Sequence, residues 1–263
     1  AVVDAADRVG RVAEVHLDVD TGMGRSGVDW SLGAEWLAQF RTALTERVRL
    51  SGIFTHLHSA EDDGQSVRQQ AARFGAWVDG LGFPAGEIRR HISNSAGVFR
   101  TPELGADLVR PGIFLYGGRC GPEAPAPEPV VALRARVVHV RDVAPGTTVG
   151  YGATYRAERR ERWATLALGY GDGLPRILGN RGHALLGGRR CPIVGRISMD
   201  VTVVNITAAG GVRVGDVATL VGRDGAEEIT LDEVASRAGT ISYEILTGFT
   251  ARLPRVWEGM DGG

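Results

Sequence analysis

Between residues 12 and 118 short apolar runs alternate with longer helical patterns, and that beat stops at a cluster of prolines. Such alternation is the mark of parallel βα units, where each strand leads into a helix that covers the sheet. Val12–Val19 reads as a strand running into the turn-rich Asp20–Gly24, with a helix near Leu32–Glu46. Leu50–His56 is the next strand, and Ser66–Leu81 the next helix, stopped by Gly82 and Pro84. Arg90–Ile92 and Leu108–Arg110 read as two further short strands, with a helix over Ser95–Arg100 between them. That makes four units. A closed (β/α)8 barrel needs eight, over about 250 residues. The pattern therefore predicts half of a TIM-type barrel, and Ala1–Arg11 reads as the end of a helix, so the chain is expected to start within a fold.

Pro122, Pro125, Pro127 and Pro129 form a stiff linker. Beyond it the periodicity is that of strands: Ala132–Val140, Trp163–Leu168, His183–Leu186, Met199–Ile206, Val217–Val221 and a last one over Thr250–Trp257. One helix is expected at Leu231–Ala238, with Thr230 as N-cap and Glu233 completing a capping box. The fold class is thus α/β followed by β: a partial barrel over residues 1–121, a linker over 122–129, and a mostly antiparallel β-domain over 130–263. A formal net charge of -1 gives no electrostatic reason for binding nucleic acid or an anionic membrane. Two cysteines outside any CxxC pair suit a reducing cytoplasm, and no apolar run approaches a membrane span.

In parallel barrels functional groups sit at the C-terminal ends of the strands. Four segments place polar residues there. In His16–Arg25 the glycines allow close backbone approach and Arg25 offers a planar fork of donors, although a glycine turn with a surface arginine would look the same. Thr55–Ala60 puts His56 and His58 on one strand face; no carboxylate or cysteine pattern completes a metal site around them. Asn94-Ser95-Ala96-Gly97 and Arg110-Pro111-Gly112-Ile113 follow the last two strands, where such barrels commonly bind phosphate. Ser95 alone would read as a plain N-cap.

His16–Gly27, His91–Gly97 and Val109–Gly117, taken with VGYGATY (Val149–Tyr155), LGYGD (Leu168–Asp172), VGRISMD (Val194–Asp200) and Ser242-Tyr243-Glu244, resemble alanine racemase, a fold-type III pyridoxal phosphate enzyme. The resemblance spans nearly the whole chain and about the last two thirds of the family's architecture. It implies a homodimer that interconverts L- and D-alanine for cell-wall precursors. By resemblance, Arg110 lies against the pyridine nitrogen of the cofactor. Asn94, Ser95, Gly112, Ile113 and Tyr243 form the phosphate set. Arg25 meets the phenolic oxygen and the substrate carboxylate. Met199 and Asp200 belong to a loop that closes on the substrate from the partner subunit, and Tyr170 lines the entry. Tyr151 is the proton-transferring residue on one face of Cα; a free phenol near pKa 10 is a poor base, and His56, backed by Arg110, is the expected positive neighbour. Asp18 occupies a position where many relatives carry a carbamylated lysine, and either Asp18 or Asp20 is expected to pair with Arg25.

The resemblance breaks at one point. All 30 basic residues are arginine, so the chain has no lysine for a Schiff base to the cofactor. The expectation is a racemase polypeptide without its first half-barrel, inactive by itself. The alternatives are a non-catalytic relic that binds a phosphate ligand or a partner chain, and a related racemase or decarboxylase for another amino acid.

Overall fold

The computed structural model describes residues 1–32, 34–84 and 86–258; the side chains of residues 34, 35, 37 and 38 also lie outside the described part, as do residues 259–263 of the expected second domain. The chain divides into two units, Ala1–Phe114 with Cys120–Ala126, and Leu115–Arg119 with Pro127–Gly263.

The first unit runs α1 (Val2–Val9), β1 (Ala13–Asp20), β2 (Val28–Asp29), α2 (Ala34–Ala43), β3 (Val48–Phe54), α3 (Gly64–Gly80), β4 (Arg89–His91) and α4 (Ser95–Arg100). Its sheet is parallel, in the order β2-β1-β3-β4. α3 is an amphipathic covering helix: Val67, Phe74 and Val78 are buried at near-helical spacing, and Asp63 caps its start by accepting from the Gln65 amide. The expected strand over Leu108–Arg110 does not form. Only a single bridge joins Arg110 to Asn94, with the Arg110 amide donating to the Ser93 carbonyl at 2.9 Å. Pro111 follows and has no N–H with which to extend the ladder.

Between β1 and β3 the register slips by one residue: Val15 pairs with Leu50, but His16 pairs with Gly52, leaving Ser51 as the extra residue of a bulge. The His16 ring lies across Gly52, where a Cβ would stand 2.6 Å from the imidazole. Glycine is therefore required there by packing, not by φ. Gly75, in the middle of α3, is the opposite case, with nothing within 4 Å of a built Cβ. Gly75→Ala is expected to stabilise the protein by about 0.5–1 kcal/mol, because alanine loses less backbone entropy in a helix. A urea midpoint that does not rise would contradict this.

The second unit contains β5 (Leu133–Val143), β6 (Thr148–Val149), β7 (Tyr155–Arg156), β8 (Glu161–Leu166), β9 (His183–Leu186), β10 (Arg189–Pro192), β11 (Thr202–Asn205), β12 (Val217–Asp224), β13 (Glu227–Ile229), α5 (Leu231–Ala238) and α6 (Ser242–Gly248). The main sheet is antiparallel, ordered β10-β9-β12-β5-β8-β11 with β13 on β12; β6 and β7 form a separate pair. Leu166, Leu185, Val204 and Leu220 fill its core, and Trp163, also buried, donates its indole N–H to Glu161 at 2.6 Å. Thr230 caps α5 by accepting from the Glu233 amide, but the Glu233 carboxylate turns to Arg190 and Arg237, so only half of the expected capping box exists. Thr250–Trp257 is not a strand. Thr250 instead bonds to the Gly171 and Asp172 carbonyls, and Pro254 breaks any ladder beyond it. α6 was not foreseen, since Ile241 starts it without a side-chain cap.

Candidate active site

In the first unit one face of the sheet carries His16 and Asp18 on β1, Phe54 on β3 and His91 on β4, brought side by side by the pairs His16↔Gly52, Asp18↔Phe54 and Phe54↔His91. His56 lies just beyond the end of β3. The strand ends are fixed by a buried polar group that sequence reading missed. Gln70 of α3 donates to the Thr21 hydroxyl (3.1 Å) and to the His56 carbonyl (3.0 Å), and accepts from the His58 amide (3.0 Å). The Thr21 and Thr55 hydroxyls bond each other at 2.7 Å. Every polar atom used here is satisfied, which is what holds a buried network in one arrangement.

Arg110 lies over this floor. Its Nη1 donates to His91 Nδ1 (2.5 Å) and the His91 carbonyl (3.1 Å), its Nη2 to the carbonyls of Thr55 (2.7 Å) and Ile92 (3.2 Å), and its guanidinium sits 5.1 Å from the centre of the Phe54 ring. A guanidinium offers five N–H groups and no acceptor. The η donors thus immobilise the side chain and leave Nε–H to offer. Because Arg110 can only donate, His91 Nδ1 must be unprotonated, and the neutral ring then carries its proton on Nε2, 2.7 Å from His16 Nδ1. Burial foremost, then the charges of Arg110 and His16, push His91 down to about 4. His91 and His16 were not singled out from sequence; their place on the same face as Asp18 was the available signal.

That depression has a consequence for stability. The folded value lies below the ordinary 6.5, so between these two pH values the unfolded chain binds more protons than the folded one. The contribution is complete above pH 6.5 and is lost as pH falls toward 4, at no more than about 1.4 kcal/mol per pH unit from this group. His91→Gln is expected to flatten part of the slope of unfolding free energy over that window, and an unchanged slope would refute the assignment.

Several expectations are corrected. The N-cap of α4 is Asn94, whose side-chain oxygen accepts from the Gly97 amide at 3.0 Å; Ser95 instead accepts from the Gly112 amide at 2.7 Å. Ser95 therefore keeps its hydroxyl hydrogen to donate, whereas Asn94 Oδ1 is engaged in the cap. Among the described residues no ion pair joins Arg25 to either aspartate. Asp20 folds back onto the amides of Gly22 and Gly24 (2.9 Å each), and Asp18 accepts from the Ser26 hydroxyl (2.9 Å). Although burial opposes it, those amides and that of Met23 hold the Asp20 carboxyl below the usual range. His56 is not a positive neighbour. Burial, then Arg110 and Arg25, hold its imidazole below the ordinary value against the pull of Asp18, so it is neutral at pH 7. The positive charges here are the two arginines.

The remaining sequence candidates belong to the second unit. Tyr151 is exposed in a 3-10 turn, not at a strand end, between Gly150 (φ 71) and Gly152 (φ 73). Tyr170 and Met199–Asp200 are joined by backbone: Tyr170 N–H donates to the Ser198 carbonyl (3.0 Å) and Gly171 N–H to that of Met199 (2.9 Å). Tyr243 is in the first turn of α6. Ile113, from the first unit, is buried and follows Gly112. A cavity of about 560 Å³ lined by Val12, Glu14, Val48, Arg49 and Phe83 contains none of these groups and is not the candidate site.

Non-covalent features suit pyridoxal phosphate: an immobilised arginine with a donor to spare for a ring nitrogen, and a serine hydroxyl with an open glycine beside it for an anion. A four-stranded parallel sheet with a hydrogen-bonded arginine at its strand ends, on one chain with an antiparallel β-domain, defines the fold class as α/β followed by β. Residues 1–120 match the family model described as alanine racemase, N-terminal domain, and residues 130–257 that of the C-terminal domain. The chain belongs to the alanine racemase family. The alanine racemase of Symbiobacterium thermophilum is 43% identical over 263 residues, covering 96% of this chain and 68% of that protein; that of Halothermothrix orenii is 38% identical over 257 residues, covering 96% and 67%. The crystal structure of alanine racemase from a D-cycloserine-producing Streptomyces lavendulae superposes with a TM-score of 0.89 at 34% identity, covering 98% of this chain and 69% of that one. That from Bartonella henselae, with covalently bound pyridoxal phosphate, gives 0.82 at 32%, covering 97% and 69%. The chain spans about two thirds of the length of these relatives.

Proposed function

We propose that these residues serve an alanine racemase: a cytoplasmic homodimer that uses pyridoxal phosphate to interconvert L- and D-alanine for cell-wall precursors. The observation that carries this reading is Arg110, tied by four hydrogen bonds to His91, Thr55 and Ile92 with Nε–H left to donate. Two buried cysteines outside any disulfide accord with a reducing compartment. Pyridoxal phosphate, when bound, acidifies the Cα–H of the amino acid it carries. Arg110 would donate to the ring nitrogen and, being permanently charged, would not give that nitrogen a proton. This keeps the ring a weak electron sink and disfavours side reactions. The Ser95 hydroxyl and the Ile113 backbone would take the phosphate, with the Gly112 amide orienting Ser95 and Asn94 holding α4 in place for them. Arg25, unpaired with either aspartate, is available to a substrate carboxylate. Tyr151 from a second copy of the chain would move the proton on one face of Cα, with neutral His56 as a hydrogen-bonding neighbour and Arg110 and Arg25 supplying positive charge. Tyr170, Met199 and Asp200 would border the substrate entry.

The sequence contains no lysine to anchor the cofactor. The 263-residue polypeptide alone is therefore expected to form no D-alanine. The test is to determine the mass of the native gene product, add pyridoxal phosphate and measure D-alanine formed from L-alanine. A longer, lysine-containing product that racemises supports the proposal. A native product beginning at Ala1 that binds a phosphate ligand without racemising supports the non-catalytic alternative, which the absence of lysine favours.

A further inference from the structure

Gly169, Gly171 and Gly173 alternate along one turn, and each leaves space that another segment fills. A Cβ on Gly169 would overlap the carbonyl oxygens of Ser198 and Met199, and one on Gly173 the carbonyl of Gly248. At the middle position a Cβ on Gly171 would overlap Nη1 of Arg252 and also crowd the Met199 carbonyl oxygen, so the Arg252 guanidinium shares that niche with the Met199 loop. From it, Arg252 Nε pairs with Asp172 at 3.1 Å and Nη2 with Asp200 at 2.6 Å. Asp172 is the fixed end of the bridge. Its second oxygen accepts from the Gly169 amide at 2.9 Å, locking the turn. Thr250 also ties the Arg252 segment to the turn, through the Gly171 carbonyl (3.1 Å) and the Asp172 carbonyl (3.1 Å). Asp200 is the free end, exposed by 64%.

We propose that Arg252 is a positioning residue that holds Asp200, and with it the Met199–Asp200 loop, in the orientation that admits substrate; this rests on reading that loop as a substrate-entry element. Two consequences of the geometry support it. The turn carrying Tyr170 and the loop carrying Met199 are already joined by two backbone bonds, and Arg252 adds the one bond that reaches the carboxylate beyond them. Its charge also cancels that of Asp200, so an amino acid arriving with its own carboxylate does not meet a bare anion. The Arg252–Asp200 pair is exposed and contributes little to global stability; Asp172 is buried, but its bond from the Gly169 amide does not depend on Arg252.

The experiment is Arg252→Gln in the full-length protein, read by hydrogen exchange of the segment 196–201 and by steady-state kinetics. The expected result is faster exchange in that segment, a KM for alanine raised by about fivefold or more, and a kcat within about twofold of the parent. Arg252→Lys, keeping the charge but unable to bridge both carboxylates with a fork, is expected to fall between the two. Unchanged exchange and KM in Arg252→Gln would overturn the proposal. The exchange measurement does not depend on activity, so a parent protein that forms no D-alanine would count against the racemase reading and leave the positioning role to be judged by exchange.

Discussion

Tyr151→Phe is expected to lower racemisation by the full-length enzyme by about 10²–10⁴-fold, the range over which a positioned general acid or base acts. The substitution removes one hydroxyl and nothing else. Tyr151 is 68% exposed, so the change creates no cavity and should leave the unfolding midpoint where it is. The turn that presents it is set by the backbone, with Gly150, Gly152 and Ala153 (φ 47) all in left-handed conformations. Cofactor binding should persist, because the groups assigned to it are elsewhere. The decisive measurement is exchange of the Cα proton in D2O beginning from L-alanine and, separately, from D-alanine. Loss of exchange from the L face with retention from the D face is the expected outcome. Equal exchange from both would remove Tyr151 from the proton path.

Gly169→Ala is expected to destabilise the second unit by roughly 3 kcal/mol or more, as overpacking against immovable atoms does. Gly169 has an ordinary extended backbone (φ -142), so the penalty is wholly steric. The added methyl would meet the Ser198 and Met199 carbonyl oxygens, main-chain atoms that already accept hydrogen bonds from Tyr170 and Gly171. Relief would require separating the two loops and breaking those bonds. At Gly171 the nearest atom belongs to the flexible Arg252 side chain, which can move aside, and the Met199 carbonyl is crowded less than at Gly169, so Gly171→Ala should cost less. A urea midpoint for Gly169→Ala indistinguishable from the parent would mean that the two loops do not approach as described. Because the damage falls on the proposed substrate entry, any folded residue of this variant should also show a raised KM.

Individual elements explain which parts were legible in advance. Ser95–Arg100, His183–Leu186 and Leu231–Ala238 form at the residues where periodicity and breakers placed them, since their signals are local. Leu108–Arg110 and Thr250–Trp257 have strand-like composition but no ladder. Whether an apolar run pairs depends on a neighbour that composition cannot supply, and a proline stands in or beside each. At the candidate site the motif residues were found and their partners were not. Asn94, not Ser95, caps α4 because capping falls to the residue that is last before the helix. Asp20 turned to the amides of Gly22 and Gly24, which are nearer in sequence than Arg25, and a local hydrogen bond costs little ordering; Asp18 met the Ser26 hydroxyl instead.

The sequence by itself determined the change from βα alternation to antiparallel strands, the chemistry available at the strand ends, and the absence of a lysine amine. Those are properties of residue type and short-range period, which the chain carries wherever it goes. Only the tertiary structure decided that Gly52 makes room for His16, that His91 can accept from Arg110, that Gln70 ties two strand ends, and that Arg252 reaches both Asp172 and Asp200. Each joins residues 14 to 80 positions apart, at distances set by strand register, a bulge and the space left by missing side chains, none of which local pattern encodes.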